Sequence, residues 1–274
     1  VRITFLGTGS GSTTPRRAGT SILLQAGDDG LLLDCGPRSF DRMVDLGISP
    51  TVVDSVLLSH LHPDHTLGLP TLIQAMSFPH GKLPSVQGPR GTVEFVARAT
   101  AVASMVTAMP KKHWGEPLTV ESEEVEGDDE RVIRGFDVRS VVVPHVPNLL
   151  CLARRLERGG RALVFSGDTS PVPETMVPLA QGADILIHEC WSQPGMDRWV
   201  AEEGPERGPR IRKAFETQHS EATAVAKIAA EAGVTTLVLT HLGPGERAGE
   251  LTDTVAAHFR GEIVIATDGL TLAI

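Results

Sequence analysis

His60-Leu61-His62-Pro63-Asp64-His65 places three imidazoles and one carboxylate within six residues, a concentration of metal-ligating groups that neither packing nor solubility requires. Along an extended segment side chains alternate, so His60 and His62 point the same way and can chelate one ion. The turn that Pro63 forces re-aims Asp64 and His65, which can then reach a second ion. Neutral imidazole with carboxylate suits zinc, with manganese and iron as alternatives. The bland alternative is a histidine-rich loop that binds no ion.

Such a cluster needs rigid elements to hold it. It follows Val56-Leu57-Leu58, an apolar run that reads as a buried strand, and the C-terminal ends of strands are where α/β folds offer side chains to ligands. The same arrangement recurs three times: Val141-Val142-Val143-Pro144 runs into His145, Leu163-Val164-Phe165-Ser166-Gly167 into Asp168, and Leu237-Val238-Leu239-Thr240 into His241. Each of these residues alone would be read as an ordinary hydrogen-bonded structural group. Four strands that deliver such side chains at their ends place them on one edge of the fold.

The H-x-H-x-D-H pattern resembles that of the metallo-β-lactamase superfamily. Phe5-Leu6-Gly7-Thr8-Gly9-Ser10, Leu33-Asp34-Cys35-Gly36 and Thr240-His241 are similar to its ribonuclease Z and arylsulfatase-like branch, and the resemblance covers most of the chain. It implies an α/β (α+β) fold, a four-layer αββα sandwich, with a dinuclear site between the sheet edges. It also implies the ligand set: His60, His62 and His145 on one ion, Asp64, His65 and His241 on the other, and Asp168 bridging. Asp34 would lie beneath the ions and orient a ligand histidine; the alternative is a solvated turn residue. The expected reaction is hydrolysis by a metal-bridged hydroxide, with Asp64, His219 and Glu189 in the catalytic machinery. His219, just before a helix, would protonate the leaving group, and Glu189 of His188-Glu189 would contact it. Glu221 stands where the family has threonine after His219-Ser220.

Departures from the family narrow the substrate. His62 occupies the position where redox di-iron members carry glutamate, and β-lactamases proper do not share the bridging aspartate. Ribonuclease Z carries a long arm between the ligands matching His145 and Asp168, whereas here the interval is 168 − 145 = 23 positions. The absent arm makes tRNA an unlikely partner. A small phosphodiester or related anionic ester is the expected substrate. Lactone, amide or sulfate ester hydrolysis on the same site is the first alternative, and a nuclease or macromolecule-binding metal module the second. By resemblance the chain could form a homodimer.

Composition agrees with an ordinary globular protein: 274 residues, 41% hydrophobic, with a net charge of −9 that argues against general nucleic-acid affinity. Cys35, Cys151 and Cys190 are an odd number at wide spacing, which suggests a reducing, cytoplasmic setting rather than a disulfide framework. No apolar run approaches the roughly 20 residues of a membrane span. With no repeat and no linker, residues 1–274 are expected to form a single domain.

The remaining patterns give further expectations. Gly7 to Gly11 reads as a turn rather than a phosphate loop. Residues 21–25 and 30–34 read as a hairpin, and helices are expected over 38–47, from Leu67 to Phe78-Pro79, over Thr92–Met109, from a Ser220 cap to Gly233, and over Asp253–Phe259. The acidic run 126–130 reads as a hairpin tip. Lys111-Lys112-His113-Trp114 reads as an exposed loop. Trp191–Phe215, rich in Gly, Pro, Arg and Glu, shows no periodicity and reads as a substrate lid.

Overall fold

The computed structural model describes residues 1–12, 14–77, 82–104 and 118–274. The alternating N-terminal run forms β1 (Arg2–Gly7), which pairs antiparallel with the hairpin β2 (Ser21–Ala26) and β3 (Asp29–Leu33). The next strands enter parallel, as strands joined by crossover helices must. After α1 (Ser39–Asp45) comes β4 (Ser55–Leu57), after α2 (Pro63–Thr66) and α3 (Leu69–Ser77) comes β5 (Ser85–Pro89), and after α4 (Thr92–Ser104) comes β6 (Ser122–Val125).

A second sheet begins as an antiparallel meander of β7 (Asp129–Ile133), β8 (Phe136–Val143), β9 (Cys151–Arg158) and β10 (Arg161–Phe165). It continues in parallel through β11 (Ile185–Glu189), β12 (Thr236–Thr240) and β13 (Glu262–Ile265). Its helices are α5 (Pro173–Ala180), α6 (Gln193–Gln218), α7 (Ala222–Ala232) and α8 (Ala248–Ala256). The chain then returns to the first sheet, where β14 (Thr271–Ala273) pairs with β1. Among the described residues each sheet has seven strands, in the orders β14-β1-β2-β3-β4-β5-β6 and β13-β12-β11-β10-β9-β8-β7.

Strand alternation sorts the apolar side chains into layers. Phe5, Ile22, Leu33 and Leu57 of the first sheet meet Phe165, Ile187 and Val238 of the second. On the outer faces, Leu32 and Val56 pack on Met43, Leu72 and Val96, while Val164 and Leu237 pack on Met176, Val225 and Val255. This is the expected αββα sandwich. Among the described residues no helix is long and apolar enough to cross a membrane.

Several local expectations fail for identifiable reasons. Trp191–Phe215 is almost wholly helical: α6 consists of two helices that meet at Gly204, whose φ of 78° and ψ of −178° are not helical. The glycine and prolines that looked like loop composition instead break one helix and start the next, since Pro205 falls in a first turn where no N–H is needed. Ser220 is not the cap of α7: Glu221 holds that position, and the Ser220 hydroxyl donates to the Thr169 carbonyl at 2.8 Å.

The acidic run is no hairpin tip, because β6 and β7 belong to different sheets and residues 126–128 carry the chain between them. The tight turn is Arg134-Gly135, both with positive φ (48° and 72°), as a two-residue turn matched to strand twist requires. The last helix starts at Ala248, earlier than expected, and α5 is an element the apolar pattern does not announce. The ends of the expected helices at Phe78-Pro79 and Met109, and the 111–114 segment, lie outside the described residues.

Candidate metal centre

The ends of β3, β4, β8, β10, β11 and β12 deliver Asp34, His60, His145, Asp168, Glu189 and His241 to one edge of the sandwich. Pro63 starts α2 directly after His62, and this one turn of helix brings Asp64 and His65 back over the same edge. Backbones crowd beneath it. A Cβ at Gly36 would lie 2.2 Å from the Asp64 carbonyl oxygen, and one at Gly7 would lie 1.8 Å from that of Gly19. The glycine stretch at residues 7–11 is thus a close backbone contact and a turn, as expected.

Among the described residues two groups of four donors result, and a smaller third group joins His241 to Glu189 and His219. His60, His62, His145 and Asp168 each place one ligand-type atom within 4.8 Å of the others, and so do Asp64, His65, Asp168 and His241. Asp168 is common to both. Its Oδ2 lies 3.1 Å from Nε2 of His241, 3.3 Å from that of His65, 3.7 Å from that of His60 and 3.9 Å from that of His145. Nδ1 of His62 is 3.2 Å from Nε2 of His145. Two donors at 2.0–2.1 Å from one tetrahedral ion would be about 3.3 Å apart.

The hydrogen bonds around the rings decide which nitrogens are free. Asp34 is fully buried, with its Oδ1 accepting from the Ser59 N–H (2.6 Å) and its Oδ2 from the Ser59 hydroxyl (2.7 Å). That hydroxyl has spent its one proton, so the 3.0 Å contact with His60 Nδ1 has the imidazole N–H donating. His65 Nδ1 donates to Asp34 Oδ2 at 2.7 Å, and His145 Nδ1 donates to the Gln218 carbonyl at 2.8 Å. In the neutral rings, three Nε2 lone pairs therefore face one carboxylate oxygen. Nε2 of His60 and of His65 is buried without a hydrogen-bond partner among the described residues, a cost of about 1–3 kcal/mol each unless a cation satisfies it. The donor set fits metal ions.

The electrostatics point the same way. Burial, aided by the charge at His65, pushes His60 well below the ordinary histidine range, and burial with neighbouring imidazoles lowers His62 and His145. Burial also opposes charge on His65, yet Asp168, Asp64 and Asp34 hold its pKa well above normal. Burial works against the charged carboxylates too, but His65 and His241 keep Asp64 and Asp168 far below their usual range. Three carboxylates at this edge demand positive charge, which either a proton or a metal ion can supply. The cysteines take no part: all three are buried and free, and burial pushes the Cys35 thiol up to about 12.

Beside the donors stands the Glu189–His219 pair anticipated from the sequence. Glu189 Oε1 accepts from the N–H groups of Thr169 and Ser220, both at 3.1 Å, and lies 3.2 Å from His219 Nδ1. Burial lowers the His219 pKa, but the Glu189 charge and hydrogen bond outweigh it and raise it to about 8. Sequence reading missed Ser59, whose only signal was a hydroxyl at the end of an apolar strand. It also missed Phe215, whose ring stacks on His219 with centroids 4.3 Å apart.

The family described as "Anti-Pycsar protein Apyc1" matches residues 1–198. Ribonuclease Z of Mycolicibacterium gilvum (strain PYR-GCK) is 32% identical over 278 residues, which cover 98% of this chain and 94% of that protein. Among solved structures, the metallo-β-lactamase fold protein YhfI from Bacillus subtilis has a TM-score of 0.76 at 22% identity, covering 99% of this chain and 98% of that one. Human tRNase Z, short form, has a TM-score of 0.74 at 22% identity and covers 100% and 99%. The Mycolicibacterium protein has at most 278/0.94 ≈ 296 residues against 274 here, so it has no room for an extra arm of several tens of residues. A missing arm therefore does not set this chain apart from that relative.

Proposed function

Because this chain belongs to the ribonuclease Z branch of the metallo-β-lactamase superfamily and to the family described as Anti-Pycsar protein Apyc1, we propose that it is a dinuclear, zinc-dependent hydrolase of small phosphodiesters or related anionic esters. One observation carries this reading: four imidazole Nε2 atoms converge within 3.9 Å of a single Asp168 oxygen that is shared by two donor groups. In this reading His60, His62 and His145 hold one ion, Asp64, His65 and His241 the other, and Asp168 both. Two such ions, when bound, supply Lewis acidity that makes a water-derived nucleophile available near neutral pH and offsets charge on the attacked ester.

The protein's own groups do the rest. Asp34 and Ser59 fix the tautomers of His65 and His60, so that their lone pairs stay on Nε2. The Asp64 side chain is 18% exposed while that of Asp168 is 3%, so of the two Asp64 is the carboxylate that solvent can reach. His219, held in its charged form by Glu189, donates a proton to the departing alkoxide oxygen. The net charge of −9 supports a small anionic substrate drawn in by the ions rather than a polynucleotide held by a basic face.

One feature favours a second reading. The wall next to His145 contains Val146, Pro147 and Leu149, an apolar lining suited to a lactone or an ester with an apolar group. A panel of chromogenic phosphodiester, lactone, sulfate ester and β-lactam substrates, run alongside metal quantification, tests both. Two ions per chain and the highest turnover on the phosphodiester are expected. Turnover that survives complete chelation would sink the proposal.

A further inference from the structure

Lone imidazoles rotate, but both the backbone and the ring of His219 are held. Its N–H donates to the Phe215 carbonyl at 3.0 Å, and its own carbonyl accepts from the Trp191 indole at 3.3 Å. Its Nδ1 is tied to Glu189. One face of the ring lies nearly parallel to His241, at 19° with centroids 5.2 Å apart, and Phe215 stacks nearly parallel at 22° and 4.3 Å. Two near-parallel rings thus flank the imidazole. His145 meets it in a T-shaped arrangement, with centroids 4.8 Å apart.

Phe215 is itself braced. Trp199 packs edge-on against it at 5.2 Å and 77°, and Trp191, Met196, Trp199 and Phe215 form a small apolar core separate from the three that hold the sandwich together. Almost all of this core comes from α6. The break at Gly204 lets the second half of α6 fold back on the first. Gly208 approaches so closely that a Cβ there would sit 2.5 Å from the Val200 carbonyl oxygen, and Arg212 pairs with Asp197. The segment's aromatic residues point into this core, and the last of them meets His219.

We infer that Phe215 is a positioning residue for proton delivery: its flat face, backed by Trp199, keeps the His219 ring at the angle that aims Nε2 at the leaving group. The inference rests on the proton-donor role proposed for His219. A planar neighbour can cover the ring without tilting it, whereas a branched side chain of similar volume cannot. The preference of a stacked aromatic pair corresponds to about a 2- to 12-fold bias toward the aligned ring.

The test compares bis(4-nitrophenyl) phosphate, whose leaving group departs without a proton, with diphenyl phosphate, which needs one. In metal-loaded protein, Phe215→Leu is expected to lower kcat on diphenyl phosphate by about 2- to 12-fold, with KM, metal content and nitrophenyl turnover unchanged. Phe215→Tyr, which keeps the ring, is expected to behave as wild type. Phe215→Leu is expected to cost nothing further in a His219→Ala background, because it acts through His219. Should the leucine variant not fold, Phe215→Met carries the same comparison. Equal losses on both substrates, or a further loss in the His219→Ala background, overturn the inference alone. Equal losses on both substrates in His219→Ala itself overturn the proton-donor reading, and this inference with it.

Discussion

Asp168 and His219 face the same small volume from two differently made sides. The Asp168 side is built from strand ends: short apolar runs stop, and the donors follow within three residues, held from below by Asp34 and Ser59. The His219 side is built from a helix end, where a broken helix folds on itself and an aromatic core sets the angle of one ring. In the proposed reading charge is the dominant quantity on the first side, because several donors would share a cation, and orientation on the second, because one proton would leave His219 in one direction. Substitutions on the two sides should therefore differ in what they remove.

The largest effect is expected on the strand-end side. Asp168→Ala should lose both ions and lower turnover by at least about 10³-fold on every substrate, since nothing else activates water near neutral pH. His60→Ala should lose at least one ion. Metal counting on the purified variants checks both, and an Asp168→Ala protein that retains two ions would break the comparison at its base.

The next effect belongs to the helix-end side. His219→Ala should keep both ions and fall by about 10²- to 10⁴-fold on poor leaving groups, with far less loss on nitrophenyl esters. Glu189→Gln should show a milder form of the same selectivity. A loss of metal in His219→Ala, measured beside the kinetics, would erase the distinction between the two sides.

This division also explains what could be read from the sequence. A short apolar run reads as a strand and a donor residue just past its end stands out, so His145 after the antiparallel β8, and Asp168 and His241 after β10 and β12, which have parallel neighbours, were visible beside the 60–65 cluster. The sandwich itself came from the resemblance those motifs carry. The helix-end side was obscured because Gly204, Pro205, Gly208 and Pro209 have the composition of a loop, while their role depends on where the helix breaks. Phe215 and Trp199 lie in different halves of α6, and only the fold-back at Gly204 brings them together. The 126–130 run was misread because acidity does not reveal whether two strands share a sheet.

A smaller effect sharpens the role of the layer beneath the donors. Asp34→Asn keeps the shape but gives up the negative charge that takes the His65 Nδ1 proton, so metal affinity should fall by about 10- to 100-fold. Competition against a chelator of known affinity measures this. Unchanged affinity would mean that packing alone orients His65.

The smallest expected effect concerns the helix-end side without metal. The His219 pKa stands at about 8 in the folded chain against an ordinary value of 6.5, so between these values the folded state holds a proton that the unfolded chain releases. The resulting stability is present in full below pH 6.5 and disappears as the pH rises through about 8. The shift of 8 − 6.5 = 1.5 corresponds to roughly 2 kcal/mol. Other groups, His65 among them, also titrate in the metal-free protein, so the useful quantity is a difference. Between pH 6 and pH 9, urea unfolding of metal-free wild type should lose roughly 2 kcal/mol more than that of His219→Gln. Glu189→Gln should lose little more than His219→Gln, because the carboxylate that raises the pKa is gone. A wild-type difference that stays flat across this range would show that Glu189 does not hold the proton on His219, leaving the ring fixed by aromatic packing alone.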